Sequence, residues 1–420
     1  MSLSSAKKKP CPAAGGDSTA GRPVPVSGKT PAGRKVRGVE PGSEAEAIRA
    51  LWRRTGAPVT AQLEIGDGAS IRRHAVYRRN IENYVGTVKV PVGIVGPLIV
   101  NGQFARGEHM IPLATTEATL IASYNRGAKL LTHAGGCRVR ILDQGVSRAP
   151  GFVFASMPDA SEFAGWVESQ AAAIRQVAEA TTRHGQLDRM TCIPEGNYVF
   201  LELRFNTQDA SGQNMVTIAA QAVCDYIRSC SPVRPLSIYV ESNLSGDKKA
   251  SRRALQSVRG RKVAAEATLL EAQVAECLHT SAHEMARYYR MAAIACSMAG
   301  TFGTQGHFAN GLAGLYLACG QDVACVAESA IGHTRFEVLP GGDLYCSVTL
   351  PGVMVATVGG GTALPSQKAC LDILGFSGPG KAPALAEVAA ALCLAGEISI
   401  VGAICAGEFT RAHQQMARRS

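Results

Sequence analysis

A long apolar stretch near the C-terminus, residues 385–407, constrains the fold more than any other part of the chain. It approaches the length of a membrane-spanning helix, but Glu387 and Glu397 interrupt it, and no run of about 18 apolar residues is free of charge. Ala and Gly supply much of the remainder, and such small side chains allow close helix packing. We therefore expect an interior helix of a folded protein, not a membrane span.

Positive charge is concentrated at the N-terminus. The sequence has 43 Lys and Arg against 33 Asp and Glu, a formal +10. Residues 1–38 contain eight basic residues and one acid, so +7 of this excess belongs to them. The same segment has 5 Pro, 6 Gly and no aromatic residue. We predict a disordered basic tail over 1–40, with organelle targeting as the alternative, and no nucleic-acid partner, because aromatic side chains are missing.

The cysteines indicate a reducing compartment. There are 13, an odd number, with no CxxC pair and no histidine cluster at zinc-finger spacing. Scattered single cysteines at apolar positions are typical of buried free thiols. The sequence predicts a cytoplasmic protein without a disulfide framework and without a metal site.

Hydrophobic patterning divides the rest of the chain. Ser43 followed by Glu46 is a capping-box signal, so 41–81 is predicted as a small N-terminal helical region. Residues 150–239 have the element order β-α-β-β-α-β, which is typical of a ferredoxin-like domain. Beyond residue 260, Ala-rich segments predict helices at 263–298, 306–319, 321–332 and 382–417. The predicted fold is α+β: a large Ala-rich helical and β domain, formed by 82–149 and 240–420, with the small ferredoxin-like domain inserted in it.

Five places combine reactive side chains with a flexible or helix-opening backbone. They are Glu117, Lys248, Asp322, the glycines at 359–361 and His413. Four of them have an ordinary alternative. An acid in the first turn of a partly buried helix is stabilised by the helix dipole, paired lysines on a loop are usually solvated, an aspartate can cap a helix, and a lone histidine near a chain end usually has no special role. The glycine run lacks the spacing of a Rossmann fingerprint or a P-loop. None of the five decides a function alone.

The order of eight short strings along the chain, most of which contain these residues or lie near them, does indicate a function. The strings are ENYVG at 82–86, VPVGIVGPL at 90–98, LATTE at 113–117, DASGQNM at 209–215, GDKK at 246–249, SMAG at 297–300, GQD at 320–322 and TVGGGT at 357–362. With these strings the chain, from about residue 80 to residue 419, resembles the catalytic portion of the 3-hydroxy-3-methylglutaryl-CoA (HMG-CoA) reductase family. The DKK loop and the DASGQNM string resemble the class I branch, without that branch's membrane anchor.

The resemblance implies a reaction and a cofactor. Members of the family use NADPH twice to reduce HMG-CoA, through a hemithioacetal and mevaldehyde, to mevalonate and free CoA. The inserted ferredoxin-like domain is expected to bind the cofactor, and the chain is expected to form a homodimer or homotetramer with active sites shared between subunits. In this arrangement the Glu82–Asn83 segment would meet its symmetry mate.

Four residues match the family's catalytic positions. Lys248 would stabilise the oxyanion that forms when hydride attacks the carbonyl carbon. Glu117 would exchange a proton with the mevaldehyde oxygen, and for that it must hold a proton near neutral pH, which burial favours. Asp322 would join Lys248 and Glu117 in one hydrogen-bonded network. His413 would protonate the departing CoA thiolate.

The binding positions carry over in the same way. For the cofactor they are Thr182, Arg183, Asp209, Gly212, Asn214 and Met215, together with Gly359 and Gly360 of the glycine run. For the acyl group they are Arg148, Asn243, Lys249 and Asn310, and on the CoA side Ser123, Asn125 and Arg126. An arginine near the cofactor phosphates favours NADP over NAD.

One departure from the family pattern bears on the substrate. Glu241 stands where the family normally has a serine that touches the substrate, and an acid there would repel a substrate carboxylate. The four catalytic positions are intact. The predicted function is reduction of HMG-CoA; the alternatives are a reductase of a related acyl-CoA thioester and a non-catalytic CoA-ester-binding paralogue.

Overall fold

The protein is described by a computed structural model over residues 44–183 and 185–410. The chain divides between Val88 and Lys89 into two compact units. In the first unit the helices are α1 (Glu44–Thr55), α2 (Val59–Ile65), α3 (Gly68–Arg72) and α4 (His74–Tyr77). Ile48, Trp52 and Tyr84 form its small core, and Tyr84 stacks on Tyr77 with ring centroids 5.2 Å apart.

The second unit is built on one continuous sheet. Its strands are β1 (Val92–Asn101), β2 (Arg106–Ala114), β3 (Cys137–Arg148), β4 (Gly151–Val153), β5 (Gln186–Glu195), β6 (Tyr198–Asn206), β7 (Ser237–Tyr239), β8 (Gly260–Leu269), β9 (His333–Val338) and β10 (Leu344–Val353). The main path runs β7-β4-β6-β3-β8-β10-β9. β1 pairs antiparallel with β2 and parallel with β3, and β5 pairs with β6.

Helices cover this sheet and connect its strands. They are α5 (Leu120–His133), α6 (Met157–Ser169), α7 (Ala171–Glu179), α8 (Gln213–Cys230), α9 (Arg252–Gln256), α10 (Glu271–Leu278), α11 (Ala282–Ala299), α12 (Phe308–Ala318), α13 (Val326–Ser329), α14 (Pro365–Leu374) and α15 (Ala382–Cys405). Two short 3₁₀ helices, Val323–Cys325 and Gly360–Ala363, lie in the loops near the site described below. The architecture is mixed helix and largely antiparallel sheet, which agrees with the predicted α+β class.

The apolar segment near the C-terminus is the interior helix that the sequence predicts. Among the described residues α15 is the helix long and apolar enough to cross a membrane by composition, yet 83% of its most apolar window is buried inside the protein. Glu387 accepts hydrogen bonds from the backbone N–H groups of residues 103–105. Glu397 accepts from the N–H groups of residues 306 and 307 and from the Thr334 hydroxyl. Both buried acids are satisfied, so they fasten loops to the core helix.

The segment from β4 to β7 follows the predicted order of elements, with one difference. The predicted single helix is broken at Gln170 into α6 and α7. Its four strands lie in the order β7-β4-β6-β5, and every pair among them is antiparallel. The end of β3, at residues 146–148, pairs with β6, so the main sheet runs on into this segment.

The predicted helix over 263–298 is wrong in its first part, because Gly260–Leu269 is strand β8. Alanine and glutamate favour helices in isolation, but here every second residue, from Val263 to Leu269, is buried. β8 lies between β3 and β10 and pairs with both. Small alanines suit this central position, so tertiary packing overrides local propensity.

Candidate active site

The predicted site residues form two groups at opposite ends of α12. Asn310 lies in its first turn, whereas Gly320 and Asp322 follow its last residue. The helix has 11 residues and is therefore about 16 Å long. Each group lines its own cavity, and we call them the Glu117 cavity and the Lys248 cavity.

The Glu117 cavity, of about 360 Å³, gathers acyl- and CoA-side positions. The predicted residues that line it are Glu117, Ser123, Arg126 and Asn310. Arg126 donates from Nε to Ser399 Oγ (3.1 Å) and from Nη2 to the Ser399 carbonyl oxygen (2.7 Å). These bonds to α15 orient the guanidinium group. Asn125 lies outside the lining, and its Oδ1 accepts from the N–H of Gly96.

Glu117 does not occupy the environment that the sequence predicts. It lies between the end of β2 and the start of α5 at Leu120, so it precedes the helix instead of lying in its first turn. Its backbone N–H donates to Thr115 Oγ1 (3.0 Å), and its side chain is exposed. The burial predicted for this carboxyl is thus not provided by the described part of one chain.

Two further residues of this cavity were missed by sequence reasoning, His307 and Phe409. His307 Nε2 lies 2.8 Å from the Gly396 carbonyl oxygen, which makes Nε2 the protonated nitrogen. Its Nδ1 lies 3.5 Å from Asn310 Nδ2, and its ring packs on Tyr124 with centroids 4.8 Å apart. The sequence signal that could have identified His307 is its position at the start of a helix, three residues before the predicted site residue Asn310.

The Lys248 cavity, of about 620 Å³, gathers the cofactor-side positions. The predicted residues that line it are Gly212, Asn214, Met215, Lys248, Asp322, Gly359 and Gly360. Gly212 has φ +70° and is the N-cap of α8, so the free backbone N–H groups of the helix's first turn lie at the wall of this cavity, and such groups favour an anion. Across the cavity Gly361 packs against Gly320; a Cβ added at Gly361 would lie 2.7 Å from the Gly320 carbonyl oxygen.

Lys248 and Asp322 form the charged centre of this cavity. Lys248 Nζ lies 2.8 Å from Asp322 Oδ2. Hydrogen bonding to Asp322 raises the pKa of Lys248 above its usual value, so the ammonium form is favoured. Asp322 also caps the 3₁₀ helix that follows it, accepting from the N–H of Ala324 (3.1 Å). The predicted capping role and the predicted pairing with Lys248 therefore coexist in one carboxylate. Among the described residues of one chain no hydrogen bond links this pair to Glu117, which lines the other cavity.

Three predicted cofactor residues lie outside the lining of the Lys248 cavity. Asp209 accepts from the N–H groups of residues 380 and 382 and so holds the start of α15. Thr182 Oγ1 accepts from the N–H of Gly185 (3.0 Å), and its methyl group and Met215 flank this glycine, so Met215 links Thr182 to the cavity. Arg183 is exposed.

The loop that carries Lys248 is anchored by ion pairs. Arg148 is buried, and its Nη1 lies 3.1 Å from both Glu241 Oε2 and Asp247 Oδ2. Asp247 also pairs with Arg259. Burial alone would raise the pKa of Asp247, but the two arginines bring it below its usual value. The arginine predicted to hold the substrate carboxylate is therefore held by two acids of its own chain.

The other two acyl-side positions of this loop are exposed. Asn243 donates its N–H to Glu241 Oε1 (2.7 Å). Lys249 Nζ donates to the Asp247 carbonyl oxygen (3.0 Å). Both side chains lie at the surface of the chain, as residues that meet a ligand or a partner would.

Similarity to known proteins fits this arrangement. The family model for hydroxymethylglutaryl-coenzyme A reductase matches residues 47–418. This chain belongs to that family. The 3-hydroxy-3-methylglutaryl-coenzyme A reductase of Aeropyrum pernix is 41% identical over 386 residues, covering 90% of each chain. That of Methanocaldococcus jannaschii is 40% identical, covering 83% of this chain and 87% of its own.

A solved structure extends the likeness to the fold. The class II HMG-CoA reductase of Streptococcus pneumoniae, bound to NADPH in open conformations, has a TM-score of 0.64 and 20% identity, and the match covers 86% of this chain and 97% of that chain. At this identity the likeness concerns the fold alone. The resemblance read from the motifs is confirmed at the level of the family, and the class I assignment stays a prediction.

The fourth catalytic position of the reductase pattern, His413, lies outside the described residues. The described chain ends at residue 410, shortly after Phe409 in the Glu117 cavity. Its predicted role as a proton donor to the CoA thiolate therefore stays a prediction.

Proposed function

We propose that this chain is an NADPH-dependent HMG-CoA reductase that converts HMG-CoA to mevalonate and CoA. The observation that carries the proposal is the Lys248–Asp322 pair, 2.8 Å apart, in a cavity walled by backbone of glycines. A compact ammonium group held by a carboxylate suits a transient alkoxide. Curated relatives that match 83% to 90% of this chain are named 3-hydroxy-3-methylglutaryl-coenzyme A reductase.

The Lys248 cavity fits the cofactor in chemistry. The N-terminus of α8 offers N–H groups to a phosphate, and Gly359 and Gly360 let a ligand approach the backbone, since a Cβ at either would meet open space. NADPH supplies the hydride when bound. We further propose that the β4–β7 segment, residues 150–239, is a ferredoxin-like cofactor domain and that the protein works in the cytoplasm.

The remaining chemistry needs charges and protons from this chain. In each reduction the carbonyl oxygen gains negative charge, and the Lys248 ammonium group stabilises it. Asp322 holds Lys248 in place and in its charged form. Glu117 donates the proton that completes the alcohol, and His413 protonates the CoA thiolate after the hemithioacetal C–S bond breaks.

We infer that each active site is assembled from two chains. Glu117 and Lys248 must act on the same carbonyl group, yet they line cavities at opposite ends of a helix about 16 Å long. A twofold axis would bring the Glu117 cavity of one subunit against the Lys248 cavity of its partner. The dimer would then have two equivalent active sites, each with one Glu117 and one Lys248. The same contact would cover Glu117 and give it the burial that one chain lacks.

The proposal is tested with purified protein, NADPH and HMG-CoA. We expect two NADPH oxidised for each CoA thiol released, measured by NADPH absorbance and a thiol reagent. Turnover of a different thioester with none of HMG-CoA would identify a related acyl-CoA reductase, which the Glu241–Arg148 pair would explain. Binding of HMG-CoA without NADPH oxidation would identify a non-catalytic CoA-ester-binding protein.

A further inference from the structure

The loop at residues 241–249, which carries Lys248, has a backbone shape that needs outside support. Asn243 has φ +68° and Lys248 has φ +55°, and both are non-glycine residues in the left-handed region. Such residues cost conformational energy and persist only where the surrounding structure holds them. The position of the Lys248 ammonium group therefore depends on what anchors this loop.

Glu241 is one anchor of the loop. Its Oε1 accepts from the backbone N–H of Asn243 (2.7 Å), the first left-handed residue. Its Oε2 accepts from Ser245 Oγ (3.0 Å). The Glu241 carboxylate thus holds the loop at two points, Asn243 and Ser245, before it reaches Lys248. A serine side chain, shorter by two heavy atoms, would not reach both partners.

The same Glu241 carboxylate forms an ion pair with Arg148. The Arg148 side chain is only 8% exposed, and its Nη1 is shared between Glu241 and Asp247, each 3.1 Å away. Its Nη2 makes one long bond, 3.4 Å, to the Gln213 carbonyl oxygen. Glu241, together with Asp247 that Arg148 shares with Arg259, offsets its one positive charge, which leaves little net attraction for a further carboxylate.

We propose that Glu241 is a positioning residue: it holds the Lys248 loop in its left-handed shape and keeps Arg148 as an internal anchor. This inference rests on the proposed function. It reverses the expectation from the sequence, in which Glu241 would stand as a bare charge against the substrate.

The rival account is that Arg148 still receives the substrate carboxylate, because Arg148 Nε has no hydrogen-bond partner among the described residues. In that account Glu241 competes with the substrate, and its removal improves binding. The two accounts predict opposite changes in kinetic constants for Glu241→Ser. Glu241→Gln keeps the length and one acceptor oxygen, and it serves as the conservative variant.

The experiment measures kcat and KM for HMG-CoA in wild type, Glu241→Ser and Glu241→Gln, with limited trypsin digestion of each. Trypsin cuts after Lys248 and Lys249, so cleavage there reports the shape of the loop without any turnover. Glu266→Ser is the matched control, because this β8 glutamate is ion-paired with Arg138 (3.0 Å) but does not touch the loop. Thermal denaturation verifies that all variants are folded.

We expect kcat of Glu241→Ser to fall about 10- to 100-fold, with KM for HMG-CoA changed less than about threefold, because a misplaced Lys248 stabilises the oxyanion poorly. Cleavage after Lys248 and Lys249 should be at least about fivefold faster, since local opening becomes easier. For Glu241→Gln, kcat and the cleavage rate should lie between those of wild type and Glu241→Ser. For Glu266→Ser, both quantities should equal those of wild type.

A lower KM with unchanged kcat, or no change in kinetics and cleavage, would overturn the inference. Should the wild type fail to oxidise NADPH with HMG-CoA while Glu241→Ser still speeds cleavage, the loop role stands and the proposed function falls. If the wild type turns over and cleavage is unchanged, the proposed function stands and the role of Glu241 falls.

Discussion

The Lys248 cavity and the Glu117 cavity balance their charges differently. In the first, the lysine has its aspartate 2.8 Å away, and the loop around it is tied by Arg148, Glu241 and Asp247 of the same chain. In the second, the Glu117 carboxyl is exposed beside Asn310. In the Lys248 cavity the charged side chains are paired within one chain, whereas in the Glu117 cavity the carboxyl is exposed and has no charged partner among the described residues. In the proposed two-chain site, the Glu117 cavity is the one that the second chain would cover.

The largest effect that tests this comparison is expected from Lys248→Ala. In the proposed mechanism the Lys248 ammonium group stabilises the oxyanion, so its loss should lower kcat by about three orders of magnitude or more. Folding should be retained, because the Lys248 side chain is substantially exposed. Steady-state NADPH oxidation measures the loss, and Lys129→Ala, on the exposed face of α5, is the control. Substantial remaining activity would place the oxyanion elsewhere.

Glu117→Gln should have the next largest effect. Removing a general acid typically lowers kcat by about 10²- to 10⁴-fold. NADPH binding, followed by its fluorescence, should be unchanged, because the α8 N-terminus and the glycines proposed to hold the cofactor line the Lys248 cavity, and Glu117 of the same chain is not among its lining residues. A variant that also lost NADPH affinity would show that Glu117 contributes to cofactor binding as well as to proton transfer.

The smallest of the three effects is expected from Gly361→Ala. Its Cβ would lie 2.7 Å from the Gly320 carbonyl oxygen, so the wall of the Lys248 cavity must shift. We expect the KM for NADPH to rise about tenfold, roughly the loss of one good hydrogen bond, with the inhibition constant of CoA unchanged. Gly165→Ala is the matched control, since a Cβ there meets open space on α6. A change in CoA inhibition instead would contradict the assignment of the cavities.

Much of this was predictable from local patterns. The two glutamates within the apolar segment indicated an interior helix, and α15 buries both of them on backbone donors. The β-α-β-β-α-β order was readable because its helices and strands have distinct periodicities. Asp322 at an apparent cap position was found at a cap.

Other features depend on residues far apart in sequence. β8 is Ala-rich and reads as a helix until its neighbours β3 and β10 are known. The Arg148–Glu241 ion pair joins residues 93 apart, and only their proximity changes Glu241 from a predicted repulsive charge into an anchor. Glu117 was predicted to be buried, but it is exposed in the described chain. In our proposal a partner subunit covers it, and local sequence does not encode such a contact.

The central claim is that Lys248 of one subunit works with Glu117 of the other. It is tested most directly by co-expressing Lys248→Ala and Glu117→Gln chains with different affinity tags, purifying the doubly tagged hybrid and measuring NADPH oxidation with HMG-CoA. A hybrid dimer would contain one site with both residues intact, so we predict about half the wild-type activity, although each parent is nearly inactive. A hybrid as inactive as its parents would mean that each chain carries a complete site of its own, and it would contradict the account.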